Sequence, residues 1–110
     1  MESNLQIASR PGCLFKAFTR VLHRGSDDEL MYEIPTWRVD PHRKECDKYC
    51  DFPVADRSPA LAKWIMSEDS KQCSHIMLVE TDYVFVAEPS DQLLVPPGYG
   101  WGFPFGYIVP

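Results

Sequence analysis

The chain has 110 residues, enough for one domain with a modest core. It is 45% hydrophobic and 25% charged, a globular rather than a disordered composition. The net charge is −5 and the basic residues are scattered, which excludes the cationic stripe of a nucleic-acid-binding protein. No stretch approaches the roughly 18 to 20 apolar residues of a membrane span, and the N-terminus lacks a basic-then-apolar signal pattern.

The N-terminal third of the sequence is predicted to contain an irregular segment, a strand and a short helix. Residues 1–14 are expected to be loose, and ordered structure is expected to begin near Leu14. Partial alternation predicts a strand over residues 18–22. Ser26-Asp27-Asp28-Glu29 matches a capping box, so a short helix is predicted there, ending before Ile34-Pro35. The acids of this box are interpreted as caps rather than as catalytic groups.

The middle of the chain predicts a second strand followed by a polar loop. Residues 36–40 alternate and contain β-forming side chains, and Pro41 ends the pattern. Residues 42–54 are polar and are interpreted as a surface loop. The loop contains Cys46 and Cys50. Their spacing argues against a structural zinc site, because Cys13 and Cys73 stand alone, and it favours a loop disulfide or unpaired thiols.

A helix is predicted to begin at Ser58-Pro59, with Ser58 as cap and Pro59 in the first helical position. Four apolar side chains then recur at helical spacing on one face: Ala60, Leu61, Trp64 and Ile65. The pattern predicts a helix packed on a sheet, with the tryptophan in the core.

The acidic pair Glu80 and Asp82 is the strongest functional signal. It follows the apolar run 76–79, predicted to be a buried strand, and precedes a second apolar run at 83–86. Ligands of open α/β sheets bind at the carboxyl ends of strands, and two carboxylates one residue apart can reach one divalent cation. The pattern is close to the Asp-x-Asp of nucleotide-sugar glycosyltransferases. The alternative is an ordinary polar turn between two strands.

The C-terminal segment, residues 93–110, is dense in glycine, proline and aromatic residues and cannot form a regular central strand. Glycines allow a ligand to approach the backbone, and aromatic faces suit sugar rings. The segment is therefore interpreted either as a binding loop or as an aromatic patch that packs against other residues.

Several sequence blocks together resemble a known family, the plant hydroxyproline O-arabinosyltransferases and the related peptidyl-serine galactosyltransferases. The blocks lie in family order at residues 18–25, 28–36, 39–41, 57–60 with Trp64, 80–86 and 103–110. The resemblance covers roughly residues 15–110, which are expected to be a partial glycosyltransferase domain.

The resemblance implies an α/β fold, an incomplete GT-A type sheet with packed helices. It implies transfer from a UDP-sugar donor with Mn²⁺ or Mg²⁺ to hydroxyproline or serine of a secreted or cell-wall protein or peptide. Glu80 and Asp82 would hold the metal and the diphosphate, and Arg57 would reach the phosphate or these acids, or would be a plain surface arginine. The family is located in the Golgi or secretory pathway, where the full-length protein carries a membrane anchor.

Two departures from the family pattern affect these expectations. The chain has Glu80-Thr81-Asp82 where the arabinosyltransferases have Glu-Pro-Asp, so the identity of the sugar stays open. The family's first strand has no counterpart in residues 1–12, so the chain is expected to be a fragment that is inactive in isolation. The alternative function is a non-catalytic module that binds a carbohydrate or a protein.

Overall fold

The computed structural model describes residues 13–15, 17–42, 44 and 53–102. It forms two compact units, one of Phe15–Val79 and one that combines Met1–Leu14 with Glu80–Pro110. Three predictions fall outside the described residues: the lead-in over residues 1–12, the cysteine pair of the polar loop and the aromatic residues after position 102. Within the described part of the chain, no helix has the length and apolar character needed to cross a membrane.

The two predicted strands are confirmed and pair in parallel. Strand β1 is Arg20–His23, beginning two residues later than predicted, and β2 is Thr36–Val39. Arg20 lies opposite Thr36, and the Arg20 N–H donates to the Pro35 carbonyl at 2.8 Å. Parallel strands require a crossover of about a dozen residues, which residues 24–35 provide.

The crossover contains the predicted short helix, as a 3₁₀ turn at Glu29–Tyr32. The chain leaves this turn at buried Ile34, whose N–H donates to the Leu30 carbonyl at 2.8 Å. The predicted capping box is wrong in its position, because the cap residue is Asp28 and its side chain makes no capping hydrogen bond. The Asp28 carboxylate is instead bound by an arginine of β1.

That arginine, Arg20, connects the three elements of the crossover unit. Its two terminal nitrogens donate to the two Asp28 oxygens at 2.8 and 2.6 Å, and its Nε donates to Thr36 Oγ1 at 3.1 Å. Only 9% of the Arg20 side chain is exposed, and each of its three guanidinium nitrogens donates one of these hydrogen bonds. The hydrogen bond to Asp28 raises the pKa of Arg20, and the reciprocal bond from Arg20 lowers the pKa of Asp28.

The predicted helix is confirmed as α1, Arg57–Ile65, with Asp56 rather than Ser58 at the cap position. It contacts both β1 and β2. Ala60 is buried, as predicted for the sheet-facing side, whereas Trp64, predicted to lie in the core, is only half-buried. The prediction that Ile65 belongs to this face is wrong, because its side chain is 46% exposed. Ile65 is the last residue of the helix, where packing on the short strands has ended.

A carboxylate after α1 fixes the helix to the start of β1. Asp69 Oδ2 accepts from Trp64 Nε1 at 2.7 Å and from Thr19 Oγ1 at 3.0 Å. Buried Ser70 donates to the Ile65 carbonyl at 2.7 Å, which satisfies an acceptor at the end of the helix. The polar link after the helix is therefore a hydrogen-bonded connection between helix and sheet.

The prediction of a buried strand at residues 76–79 is wrong. The segment has no strand structure, and the exposed fractions of Ile76, Met77 and Leu78 are 45, 42 and 64%. The second apolar run forms no strand either, and Val86 is 97% exposed. A strand needs a hydrogen-bonded neighbour, and the sheet in the described residues consists of β1 and β2. The GT-A sheet stays a prediction.

The ion pair of Arg20 and Asp28 predicts a specific loss of stability in acid. A carboxyl whose pKa is lowered by folding stabilises the fold above its ordinary pKa near ~3.9, and this contribution is lost as the pH falls through the lower folded-state value. We expect Asp28→Asn to have a smaller free energy of unfolding than the wild type at neutral pH. The two should converge in acid, as measured by urea unfolding across pH. A difference that persists unchanged in acid would contradict the assignment.

The Asp69 contacts predict a second stability effect. Asp69→Ala removes the acceptor of two part-buried donors, so we expect the free energy of unfolding to fall by about 2 kcal/mol, from loss of hydrogen bonds to a charged group. Urea unfolding followed by tryptophan fluorescence measures this change. The matched control is the neighbouring Glu68→Ala, because the Glu68 side chain is 89% exposed and its loss should matter by less than about 0.5 kcal/mol.

Candidate functional site

The two predicted metal ligands lie in one turn. The Tyr83 N–H donates to the Glu80 carbonyl at 3.2 Å, which closes a turn with Thr81 and Asp82 at its centre. Glu80 is half-buried and Asp82 is exposed. The carboxylates therefore occupy the first and third positions of a closed turn, rather than the end of a buried strand.

The donor set of this turn fits a hard divalent cation. Carboxylate oxygens are ligands that Mn²⁺ and Mg²⁺ accept, and Mg²⁺ sites commonly use one or two carboxylates with water and phosphate oxygens as the other ligands. Among the described residues there is no group of three or more His, Cys, Asp or Glu side chains able to hold a metal. Glu80 and Asp82 alone do not make a closed metal site, and their role as metal ligands stays a prediction.

Arg57 lines a cleft in the Phe15–Val79 unit. The cleft has a volume of about 260 Å³ and lies at the N-terminal end of α1, lined by Val54, Arg57, Ser58, Leu61 and Leu78. The lining combines a guanidinium and a hydroxyl with three aliphatic side chains. The helix N-terminus carries partial positive charge and Arg57 a full one, and the neighbouring Asp56 carboxylate opposes them.

The sequence analysis missed Asp56, the most deeply buried charged side chain in the described residues. It is 1% exposed, and neither carboxylate oxygen has a hydrogen-bond partner. An aspartate at the cap position ordinarily accepts from the N–H groups of the second or third helical residue. Here the third residue is Pro59, which has no N–H, and Asp56 makes no capping bond.

An unpaired buried carboxylate is costly and rare in folded proteins. Asp56 directly precedes the arginine and serine of the cleft, so the chain places an unsatisfied acceptor next to the cleft's polar end. The sequence contained one usable signal, an aspartate before a predicted helix start. That signal indicates an ordinary helix cap. Only the structure shows that the carboxylate is buried and accepts no hydrogen bond.

The predicted site residues lie in two different units of the chain. Glu80 and Asp82 belong to one turn, and Arg57 lines a cleft in the other unit. The prediction that Arg57 reaches phosphate or the acids stays a prediction. The zinc alternative rests on Cys46 and Cys50, which lie outside the described residues.

The chain matches the family model described as the hydroxyproline O-arabinosyltransferase family N-terminal domain over residues 3–110. It belongs to this family. The resemblance drawn from the sequence blocks is therefore confirmed.

Curated relatives give the same assignment. The chain is 39% identical to hydroxyproline O-arabinosyltransferase 3 of Arabidopsis thaliana, over 91% of the chain and 26% of that protein. It is 35% identical to hydroxyproline O-arabinosyltransferase PLENTY of Lotus japonicus, over 96% of the chain and 28% of that protein. The chain thus spans about a quarter of the length of these relatives. No solved structure matches it significantly.

The buried carboxylate predicts an unusual gain of stability. Asp56→Asn keeps the shape of the side chain and removes a charge that has no partner in the described residues, so we expect the free energy of unfolding to rise by about 1 kcal/mol. Urea unfolding of the two proteins at neutral pH measures the change. Asp91→Asn is the matched control, an exposed aspartate that should shift stability by less than about 0.5 kcal/mol. A marked loss of stability in Asp56→Asn would show that the carboxylate is satisfied.

Proposed function

We propose that this chain is the donor-binding part of a glycosyltransferase that transfers a sugar from a UDP-sugar to hydroxyproline, or to serine, of a protein or peptide. The observation that carries the proposal is family membership over residues 3–110, combined with two carboxylates in a single turn at 80–82. Arabinose is the sugar in the names of the relatives. The threonine between the two acids is a departure that leaves a pentose or a hexose donor possible.

Glu80 and Asp82 hold the metal in this proposal. When bound, the cation neutralises the diphosphate as its bond to the sugar breaks and orients it for departure. The acceptor hydroxyl oxygen forms the new bond to the anomeric carbon, UDP leaves with the electron pair of the broken C–O bond, and the hydroxyl proton passes to a base. The role of the two carboxylates is to bind and position, and neither is assigned as the base.

In this proposal Arg57 binds phosphate oxygens within the cleft that it lines. The planar guanidinium matches two phosphate oxygens. We assign this reaction to the Golgi or secretory pathway in a full-length protein that is anchored in the membrane, as in the family.

Calorimetry tests donor binding by the chain itself. We expect a UDP-sugar to bind in the presence of Mn²⁺ and to bind at least about tenfold more weakly without it, since two carboxylates repel a diphosphate that lacks a cation. Asp82→Ala and Glu80→Gln should each abolish the metal-dependent part. Glu68→Gln is the control, an exposed carboxylate outside the turn. Binding that is equally strong in Asp82→Ala would remove the turn from the donor site.

The arginine is tested by the same titration. Arg57→Ala should weaken donor binding by about tenfold, the usual cost of a charge-assisted hydrogen bond, while leaving Mn²⁺ binding to the turn unchanged. Lys63→Ala, an exposed cation on the same helix, is the matched control. If both variants weaken binding equally, Arg57 contributes only general positive charge.

A further inference from the structure

We propose that residues 94–99 are a docking segment for a proline-recognition domain of the WW type, which reads Pro96, Pro97 and Tyr99. In this interaction the chain supplies the proline-containing ligand, and the partner supplies the aromatic-lined groove. The inference goes beyond the proposed function, because the partner takes no part in sugar transfer.

The first argument is the sequence of the segment. Residues 96–99 read Pro-Pro-Gly-Tyr. Domains that recognise polyproline II helices hold the proline rings of their ligand against aromatic side chains. WW domains of one class take, in addition, a tyrosine that follows two prolines and one residue of any type. The segment matches each position of this pattern, and a pattern of this length becomes informative when the structure presents it to solvent.

The second argument is accessibility. Pro96, Pro97, Gly98 and Tyr99 are all exposed, and the Tyr99 side chain is 76% exposed. Prolines and tyrosines that pack into a core cannot enter the groove of another protein. Here the three side chains that a WW domain reads lie on the surface of consecutive, exposed backbone, so the partner can reach them without unfolding the segment.

The third argument is the backbone conformation before the tyrosine. Leu94 is extended, with φ −74° and ψ 111°, next to the polyproline II region. Val95 and Pro96 each precede a proline, which disfavours helical geometry and favours extended or polyproline II geometry. The segment is therefore restricted toward the conformation that proline grooves bind, which lowers the conformational entropy lost on docking.

The turn that follows places the tyrosine beside the prolines. The Tyr99 N–H donates to the Pro96 carbonyl at 3.1 Å, and Gly98 has a φ of +87°. Proline and then glycine at the centre of a hydrogen-bonded turn is the pattern of a type II turn, which brings its end Cα atoms within about 7 Å. A Cβ atom added at Gly98 would meet no atom within 4 Å, so the turn is open to an approaching domain. The glycine also lets the backbone adjust to the groove.

The fourth argument is charge, which separates the classes of proline groove. Between Glu80 and Pro110 the sequence has no lysine, arginine or histidine, and its charged residues are Glu80, Asp82, Glu88 and Asp91. SH3 domains commonly pair a basic residue of the ligand with acids beside the proline groove, and this segment offers none. An acidic segment instead favours a groove that is bordered by basic residues.

Fluorescence anisotropy of a labelled WW domain that is specific for Pro-Pro-x-Tyr, titrated with the 110-residue chain, tests the inference. We expect saturable binding, and a labelled SH3 domain should bind at least about tenfold more weakly. Tyr99→Ala and Pro97→Ala should each weaken binding of the WW domain by at least about tenfold, because each removes a side chain that anchors the segment in the groove.

Trp101→Ala is the matched control, because Trp101 is 66% exposed, lies two residues after the tyrosine and falls outside the pattern. It should leave binding unchanged. No saturable binding by the wild type, or wild-type affinity in Tyr99→Ala, would overturn the inference. Equal losses in Tyr99→Ala and Trp101→Ala would also overturn it, since they would show a non-specific aromatic patch. Urea unfolding of each variant, expected within about 0.5 kcal/mol of the wild type, separates lost docking from lost folding.

Discussion

The described fold depends most on the hydrogen bonds that the Arg20 guanidinium donates to Asp28 and Thr36. Isolated two-stranded sheets are marginally stable in water, and parallel pairs are ordinarily covered on both faces. Here one side chain of β1 binds the carboxylate of Asp28 on the crossover and the hydroxyl of Thr36 on β2. The guanidinium thus connects the two strands and their crossover. Its bond to Thr36 joins two residues that lie opposite each other in the strand register.

Two carboxylates flank the helix that covers this sheet, Asp56 before its first residue and Asp69 four residues after its last, and they differ in their hydrogen bonding. Asp69 accepts hydrogen bonds from the indole of Trp64 and the hydroxyl of Thr19, so its burial is compensated. Asp56 is buried more deeply and has no such donors. The contrast shows that the burial of Asp69 is compensated by hydrogen bonds and that the burial of Asp56 is not.

Sequence patterns correctly predicted the strands and the helix, whose patterns lie within one short segment. They failed where the structure of a segment depends on residues far away in the sequence. Alternation predicted both strands, and helical spacing predicted α1, because each pattern reflects the geometry of a short segment. Residues 76–79 carry an equally clear apolar signal, but strand formation depends on a neighbouring strand that the segment itself does not specify. The same holds for Asp56, whose burial depends on what packs around it. The acidic pair was found by its spacing, and it lies in a polar turn, the alternative interpretation, although no strands flank that turn.

The distribution of charge explains why the proposed donor site would need a metal. A diphosphate near Glu80 and Asp82 meets two negative charges, and the sequence from Glu80 to Pro110 offers no lysine or arginine to offset them. Like charges repel, so direct binding of an anion there is unfavourable. A divalent cation neutralises the two carboxylates of the turn, and the acids at 88 and 91 stay negative.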